Sequence, residues 1–241
     1  MIFPIGDQQV RGGSKPLFSY IFIGLNVLVF LYEASLSPEG LNQFIMEFGS
    51  IPQETMAGED YFTLFTSMFL HGGWMHLIGN MLFLYVFADN IEQIIGNLNF
   101  FIFYIAGGLA AHAAHIFFNI DSPIPTVGAS GAISAVLGAY LIMFPTSKIK
   151  ILVVFLFRSF KVPALLFLGF WIVQQLISGF ASIGPESAGS GGVAWWAHIG
   201  GFAFGIIAGI YYRSIQREEL ERFNEGGIIG LGFKGAIDSK S

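Results

Sequence analysis

Cysteine is absent from the 241-residue chain, which excludes disulfides, thiolate metal sites and a thiol nucleophile. Charge is scarce too: Asp, Glu, Lys and Arg make up 11% of the residues, where soluble domains carry about 25%. With 54% hydrophobic residues and a mean hydropathy of +0.67, a soluble fold is excluded and an integral membrane protein is expected. Nor is there a basic excess. A net charge of -5 and a pI near 5.5 give no ground for nucleic acid as a partner. Internal repeats strong enough to suggest the two halves of a transporter are also missing.

What the chain does contain is a series of apolar runs. The first, residues 17–34, is longer than the apolar core of about 7 to 15 residues in a signal peptide, and it ends in Tyr32-Glu33-Ala34-Ser35-Leu36. It reads as an uncleaved anchor. Further runs follow at 74–88, 99–118, 126–145, 163–177 and 193–212. The expected fold is all-α, a polytopic bundle of six transmembrane helices. Its parts are an amino-terminal segment 1–16, a membrane domain 17–213 and a charged tail 214–241. The acidic connection 36–73, broken by apolar patches, is expected to form interfacial helices. Residues 149–157 are too short to cross and are flanked by Lys148, Lys150, Arg158 and Lys161, which suits a segment near a lipid surface.

The eleven Lys and Arg residues fall in the amino terminus, the fourth-to-fifth loop and the tail. Six crossings put all three regions on one side, and basic residues collect on the cytoplasmic face. Both termini are therefore expected inside, and spans two, four and six descend from the outer face. The Gly-rich stretch 184–192 is expected in the outward fifth loop.

Gly128-Ala129-Ser130-Gly131 opens the fourth run and sets a serine between glycines, where its hydroxyl is open to approach. Alone, such a stretch serves helix packing more often than catalysis, since Ser130, Ser134 and Gly138 share one small-residue face with Gly131 and Ala135 beside it. Its partners change the weighing. His76 and Asn80 in the second span and His198 in the sixth stand, like Ser130, within roughly 10 Å of the outer end. Gly201, Gly205 and Gly209 form a face on the sixth span that complements Gly131, Ala135 and Gly138, and packing the two would draw imidazole towards hydroxyl. A serine needs a base, which His198 can be. His76 and Asn80, at i and i+4, can donate to an oxyanion, with the Ser130 amide as a third donor. Glu33 and Asp89 stand at span ends, so a dyad without an acidic third member is expected. His71 reads as a structural hydrogen-bonding residue at the outer interface, and Glu92 as a helix anchor. His112 and His115 read as packing or water-facing groups, because no carboxylate or third histidine completes a metal site with them.

Together these motifs resemble the bacterial rhomboid intramembrane serine proteases. The residues that carry the resemblance are Gly128-Ala129-Ser130-Gly131, Ala197-His198-Ile199-Gly200-Gly201 with Gly205, and His71 through His76 to Asn80. It covers most of the chain from about Phe62 onward. The resemblance implies a six-helix rhomboid fold, Ser130 as nucleophile, His198 as base, His76 and Asn80 as the oxyanion region, and Gly128, Gly131, Gly201 and Gly205 as packing beside the site. It further implies hydrolysis of peptide bonds in or next to transmembrane segments of membrane proteins, in a bacterial inner membrane, with the lipid bilayer as surroundings and neither metal nor cofactor. Oligomeric state is left open. Two features depart from the family pattern: the Trp-Arg pair often found in the first outer loop is absent, and Ser134 stands where some relatives place a Tyr beneath the catalytic ring. The rival is a catalytically silent rhomboid-like protein that binds membrane helices; an intact Ser130 and His198 argue against it.

Overall fold

The computed structural model describes residues 2–8, 15–183, 193–218 and 220–221. A strand, β1 (Ile2–Gly6), precedes the first long helix, α1 (Phe18–Glu33). The connection after it folds into three short helices, α2 (Pro38–Phe48), α3 (Pro52–Ala57) and α4 (Thr63–Thr66), as its amphipathic patches suggest. Three long helices follow, α5 (Trp74–Ile95), α6 (Asn97–Phe118) and α7 (Ser130–Met143). A hairpin of β2 (Lys148–Val153) and β3 (Arg158–Pro163) then leads into α8 (Ala164–Ala181), and α9 (Trp195–Ile215) completes the bundle. The six long helices fall on the six apolar runs of the sequence.

At the centre stands α7. Every residue from Gly131 to Tyr140 is buried, as befits a helix that is apolar all round. Its closest neighbour is α9, through the small-residue faces expected from the sequence. A Cβ on Gly201 would overlap the Gly131 carbonyl, one on Gly205 the Ala135 carbonyl, and one on Gly138 the Phe202 carbonyl. With no side chains between them, the two backbones touch directly. The outer helices show lipid-facing apolar side chains instead: Leu28, Ile102, Leu166, Phe170, Ile207 and Ile210 are all exposed. Only α6 and α8 are long and apolar enough to cross a bilayer by those two measures alone, among the described residues. With 14 residues, α7 measures about 21 Å, short of the roughly 30 Å hydrocarbon core. Polar residues on α5, among them Asn80, Asp89, Asn90 and Glu92, face inward and are buried.

At the end of the bundle away from Ser130, the Glu92 carboxylate accepts the amides of Leu17, Phe18 and Ser19 at 2.7 to 2.8 Å and the Ser19 hydroxyl at 2.6 Å. It thereby caps α1 from α5, placing negative charge on otherwise unpaired donors at a helix start. Glu92 is the anchor the sequence suggested. The same end carries a feature the sequence reading did not contain, a three-stranded antiparallel sheet in the order β1-β2-β3. Residues 149–157, too short to cross as expected, form most of β2 and the turn after it. The alternation Lys148-Ile149-Lys150-Ile151 explains this, since period two buries Ile149 and leaves the lysines outside. The amino-terminal segment is joined to this sheet, with Ile2 opposite Val153 and Gly6 opposite Lys150. Asp7 accepts from both Asn90 on α5 and Tyr140 on α7.

Candidate active site

Ser130 is the first residue of α7. Ahead of it Gly128 adopts φ +127, a conformation that favours glycine, and donates its N–H to the Ser67 carbonyl at 2.8 Å. Thr126 is tied to Ser50 by a reciprocal pair of backbone bonds, 2.8 and 3.1 Å. The approach to Ser130 is thus held by the connection between α1 and α5. No side chain caps α7, so its first amides, that of Ser130 included, lack an intrahelical acceptor and point outward as donors.

His198 sits in the first turn of α9, and its Nε2 lies 2.9 Å from Ser130 Oγ. Its other nitrogen, Nδ1, lies 2.8 Å from Gln175 Oε1 on α8, while the Gln175 amide nitrogen donates back to the Trp171 carbonyl at 3.4 Å. A carbonyl oxygen can only accept, so Nδ1 carries the proton and Nε2 presents its lone pair to the serine. Trp171 also packs on the imidazole, centroids 5.9 Å apart, and Trp195 meets it edge-on at 6.3 Å. Support for the ring therefore comes from α8 and α9. Ser134, on the next turn of α7, donates instead to the Ser130 carbonyl at 2.6 Å. A cavity of ≈ 10 Å³, bounded by Met68, His112, Val127 and Gly131, opens beside Ser130.

His76 and Asn80 come from the first two turns of α5. Both stand against the backbone at Gly128, where an added Cβ would lie 2.8 Å from His76 Nε2 and 3.7 Å from Asn80 Nδ2. His76 Nδ1 accepts the Gly72 amide at 3.4 Å, which leaves Nε2 as the donor. Asn80 Nδ2 spends one hydrogen on His71 Nε2 at 3.0 Å and keeps the second. His71, just ahead of α5, is packed inside the protein with 2% exposure, and its backbone amide donates to both Glu33 carboxylate oxygens at 3.1 and 3.2 Å. Burial, with His76 nearby, lowers the His71 pKa to about 4, so it stays a neutral acceptor for Asn80. His112 Nε2 pairs with Ser67 Oγ at 3.1 Å and His115 Nε2 with Thr126 Oγ1 at 3.0 Å. Those two histidines bind α6 to the segments that hold Gly128.

The structure therefore brings Ser130, His198, His76 and Asn80 to one end of three parallel helices, α5, α7 and α9. Sequence reasoning missed Gln175, Trp171 and the Glu33–His71 link. The first two carried a signal, because a glutamine inside an apolar run is a candidate functional residue and Trp171 sits four positions before it on the same helix face.

The description of the rhomboid domain matches residues 58–215 of this chain. The chain belongs to the rhomboid family. Rhomboids are integral membrane proteins, which agrees with the lipid-facing belt of the bundle. Rhomboid protease GluP of Bacillus subtilis is 30% identical over 202 residues, covering 84% of this chain and 36% of GluP. Rhomboid protein 1, mitochondrial, of Saccharomyces cerevisiae is 28% identical over 261 residues, covering 91% of this chain and 71% of the yeast protein. RHOMBOID-like protein 1 of Arabidopsis thaliana is 31% identical over 162 residues, 67% of this chain and 36% of the plant protein. This rhomboid thus spans about a third of the length of GluP and of the plant relative, at 36% of each.

Proposed function

We propose that this rhomboid is an intramembrane serine endopeptidase that hydrolyses peptide bonds in or next to transmembrane segments of membrane proteins, with Ser130 as nucleophile and His198 as base. The observation that carries the reading is the 2.9 Å approach of His198 Nε2 to Ser130 Oγ, with Nδ1 committed to Gln175 at 2.8 Å. In that arrangement Ser130 Oγ attacks the scissile carbonyl carbon while its proton passes to Nε2. The oxyanion forms where His76 Nε2–H, Asn80 Nδ2–H and the Ser130 amide converge. Collapse breaks the C–N bond, and the proton on Nε2 goes to the leaving amine. Water then attacks the acyl-serine, giving its proton to Nε2, and the acid product leaves with Ser130 restored.

The substrate presents an unwound stretch, because a helix hides its carbonyls in hydrogen bonds. Water reaches Ser130 from the nearer leaflet surface, and the short α7 sets the hydroxyl beneath that surface. The membrane domain 17–213 carries the activity, in a bacterial inner membrane with both termini cytoplasmic. Substrates are other membrane proteins; no metal or cofactor enters the chemistry.

A serine-directed fluorophosphonate tests the reading without knowledge of the substrate, since it bonds only to an activated hydroxyl whose oxyanion is accommodated. Detergent-solubilised protein is expected to label at Ser130, with labelling lost in Ser130→Ala and strongly reduced in His198→Ala. Folded wild-type protein that neither labels nor cleaves a panel of membrane segments would overturn the protease reading in favour of a silent helix binder.

A further inference from the structure

The turn joining β2 to β3 is apolar and projects from the fold: Phe155 is 72% exposed, Leu156 50% and Phe157 90%. Phe157 also adopts φ +48, a left-handed conformation that turns ordinarily give to glycine or asparagine. A bulky aromatic ring held outward in that conformation is poorly suited to water. Beneath the tip runs a row of cations. Lys150 lies directly opposite Lys161 in the β2–β3 register, Lys148 is two residues along on the same face, and Arg158 begins β3 beside the tip. Like charges directly across a ladder destabilise it. Among the described residues the one ion pair is Arg217 with Glu221, so the lysine pair finds no counter-charge there.

The hairpin is also firmly seated. Ile149 and Val153 are buried against the bundle, β1 covers the other edge of β2, and the Ser147 carbonyl accepts the Ala164 amide at 2.8 Å across its base. The base of the hairpin is thus held while its tip stays uncovered. An apolar end with cations set one step behind it matches the order of acyl chains and anionic headgroups in a leaflet, and lysine stems can lie along apolar surface while their ends meet phosphate.

We propose that the β2–β3 hairpin docks in the leaflet on the side away from Ser130, with Phe155, Leu156 and Phe157 in the acyl region and Lys148, Lys150 and Lys161 holding anionic phospholipid headgroups. This rests on the reading of the bundle as membrane-spanning, with the α7–α8 connection at that leaflet, but not on protease activity. The hairpin would fix the height of α7 and α8 in the bilayer and give the protein a preference for anionic lipid.

Because the chain has no cysteine, Phe157→Cys carries a single nitroxide label in the full-length protein. In nanodiscs its collisions with oxygen, which partitions into acyl chains, are compared with those of a water-soluble nickel complex. The label is expected to favour oxygen, more strongly in phosphatidylglycerol than in phosphatidylcholine. Lys150→Gln with Lys161→Gln is expected to abolish that difference between lipids while the protein stays folded. Ready access by the nickel complex in both lipids would overturn the proposal. A label shielded from both reagents would do so too, by showing a protein cover such as a second copy. Insertion indifferent to lipid charge and to the lysines would remove the headgroup claim. Fluorophosphonate reactivity of the same sample reports on Ser130 separately, so failure of one reading is distinguishable from failure of the other.

Discussion

Gln175 supplies what a carboxylate supplies in a triad, an acceptor that fixes the imidazole tautomer, yet adds no charge to an apolar bundle where an unpaired carboxylate would be costly. Gln175→Leu is expected to lower kcat about 10- to 100-fold, the scale of losing an outer partner of a functional histidine, with KM little changed. Gln175→Glu, which still accepts from Nδ1, should restore most of the loss. Steady-state cleavage of a reporter membrane segment separates the two parameters; equal kcat in Leu and wild type would reduce Gln175 to packing. His71 sits one bond further out, between the Glu33 carboxylate, the His76 ring and Asn80. Its folded pKa of about 4 lies below the unfolded value of about 6.5, so the unfolded chain takes up a proton that the folded chain refuses. Stability is then complete above pH 6.5, falls as pH drops towards 4, and levels off below, a change of about 3 kcal/mol in all. Thermal unfolding of wild type against His71→Gln should show this as a difference confined to that window, and a difference independent of pH would contradict it. In the proposed mechanism His76 and Asn80 share one developing charge with the Ser130 amide, so either single replacement is expected to leave measurable activity, with losses on the order of 10²- to 10³-fold.

Among the elements, the α7–α9 contact decides whether hydroxyl and imidazole meet. Gly201→Val would push a branched side chain into the Gly131 carbonyl, one residue from Ser130, and the helices would have to separate. Loss of activity by at least roughly 10²-fold is expected, the scale set by a misplacement of about 1 Å, together with a lower unfolding temperature. Gly169→Ala on α8 is the matching control, because nothing lies within 4 Å of its added Cβ and alanine is the better helix former. Wild-type behaviour of Gly201→Val would show that the glycine face is not the contact that aligns the site. This interface was legible because small residues four apart on two helices state both the face and its partner. The sheet was not. Lys148-Ile149-Lys150-Ile151 has a strand period, but its partner β1 lies at the far end of the chain, with Ile2 against Val153, and no local pattern announces a pairing over that separation. The short α7 misleads for a related reason: its length reflects central burial rather than bilayer thickness.

For the whole molecule, the shared depth of His76, Asn80, Ser130 and His198 was readable because three parallel helices start near one surface; Gln175 stands out in the sequence only as a polar residue in an apolar run, and its pairing with His198 depends on how α8 is rotated against α9. The same geometry fixes which chain segments share a side. The pairing of β1 with β2 and the Asp7–Tyr140 bond put the amino terminus beside the α7–α8 hairpin. Arg213 near the end of α9 donates to the Ile142 carbonyl at the end of α7, 3.0 Å away, which brings the end of α9 to that side as well. Ser130 and the short helices α2 to α4 lie at the other end. The β1–β2 pairing is backbone bonding and independent of charge, and together these contacts set Lys15, Lys148, Lys150 and Arg213 on one side, as the charge rule expects. A chain without cysteine lets the sidedness be measured one residue at a time. Glu39→Cys on α2 and Thr146→Cys before β2 are both exposed positions. In intact bacterial cells made permeable only at the outer membrane, a maleimide that cannot cross the inner membrane is expected to label Glu39→Cys at once. Thr146→Cys should label only after the inner membrane is opened. The reverse order would keep a spanning bundle but turn the site to the cytoplasm, against the charge rule. Labelling of both from one side would mean that the long helices do not cross at all, and the substrate class proposed for Ser130 would fall with them.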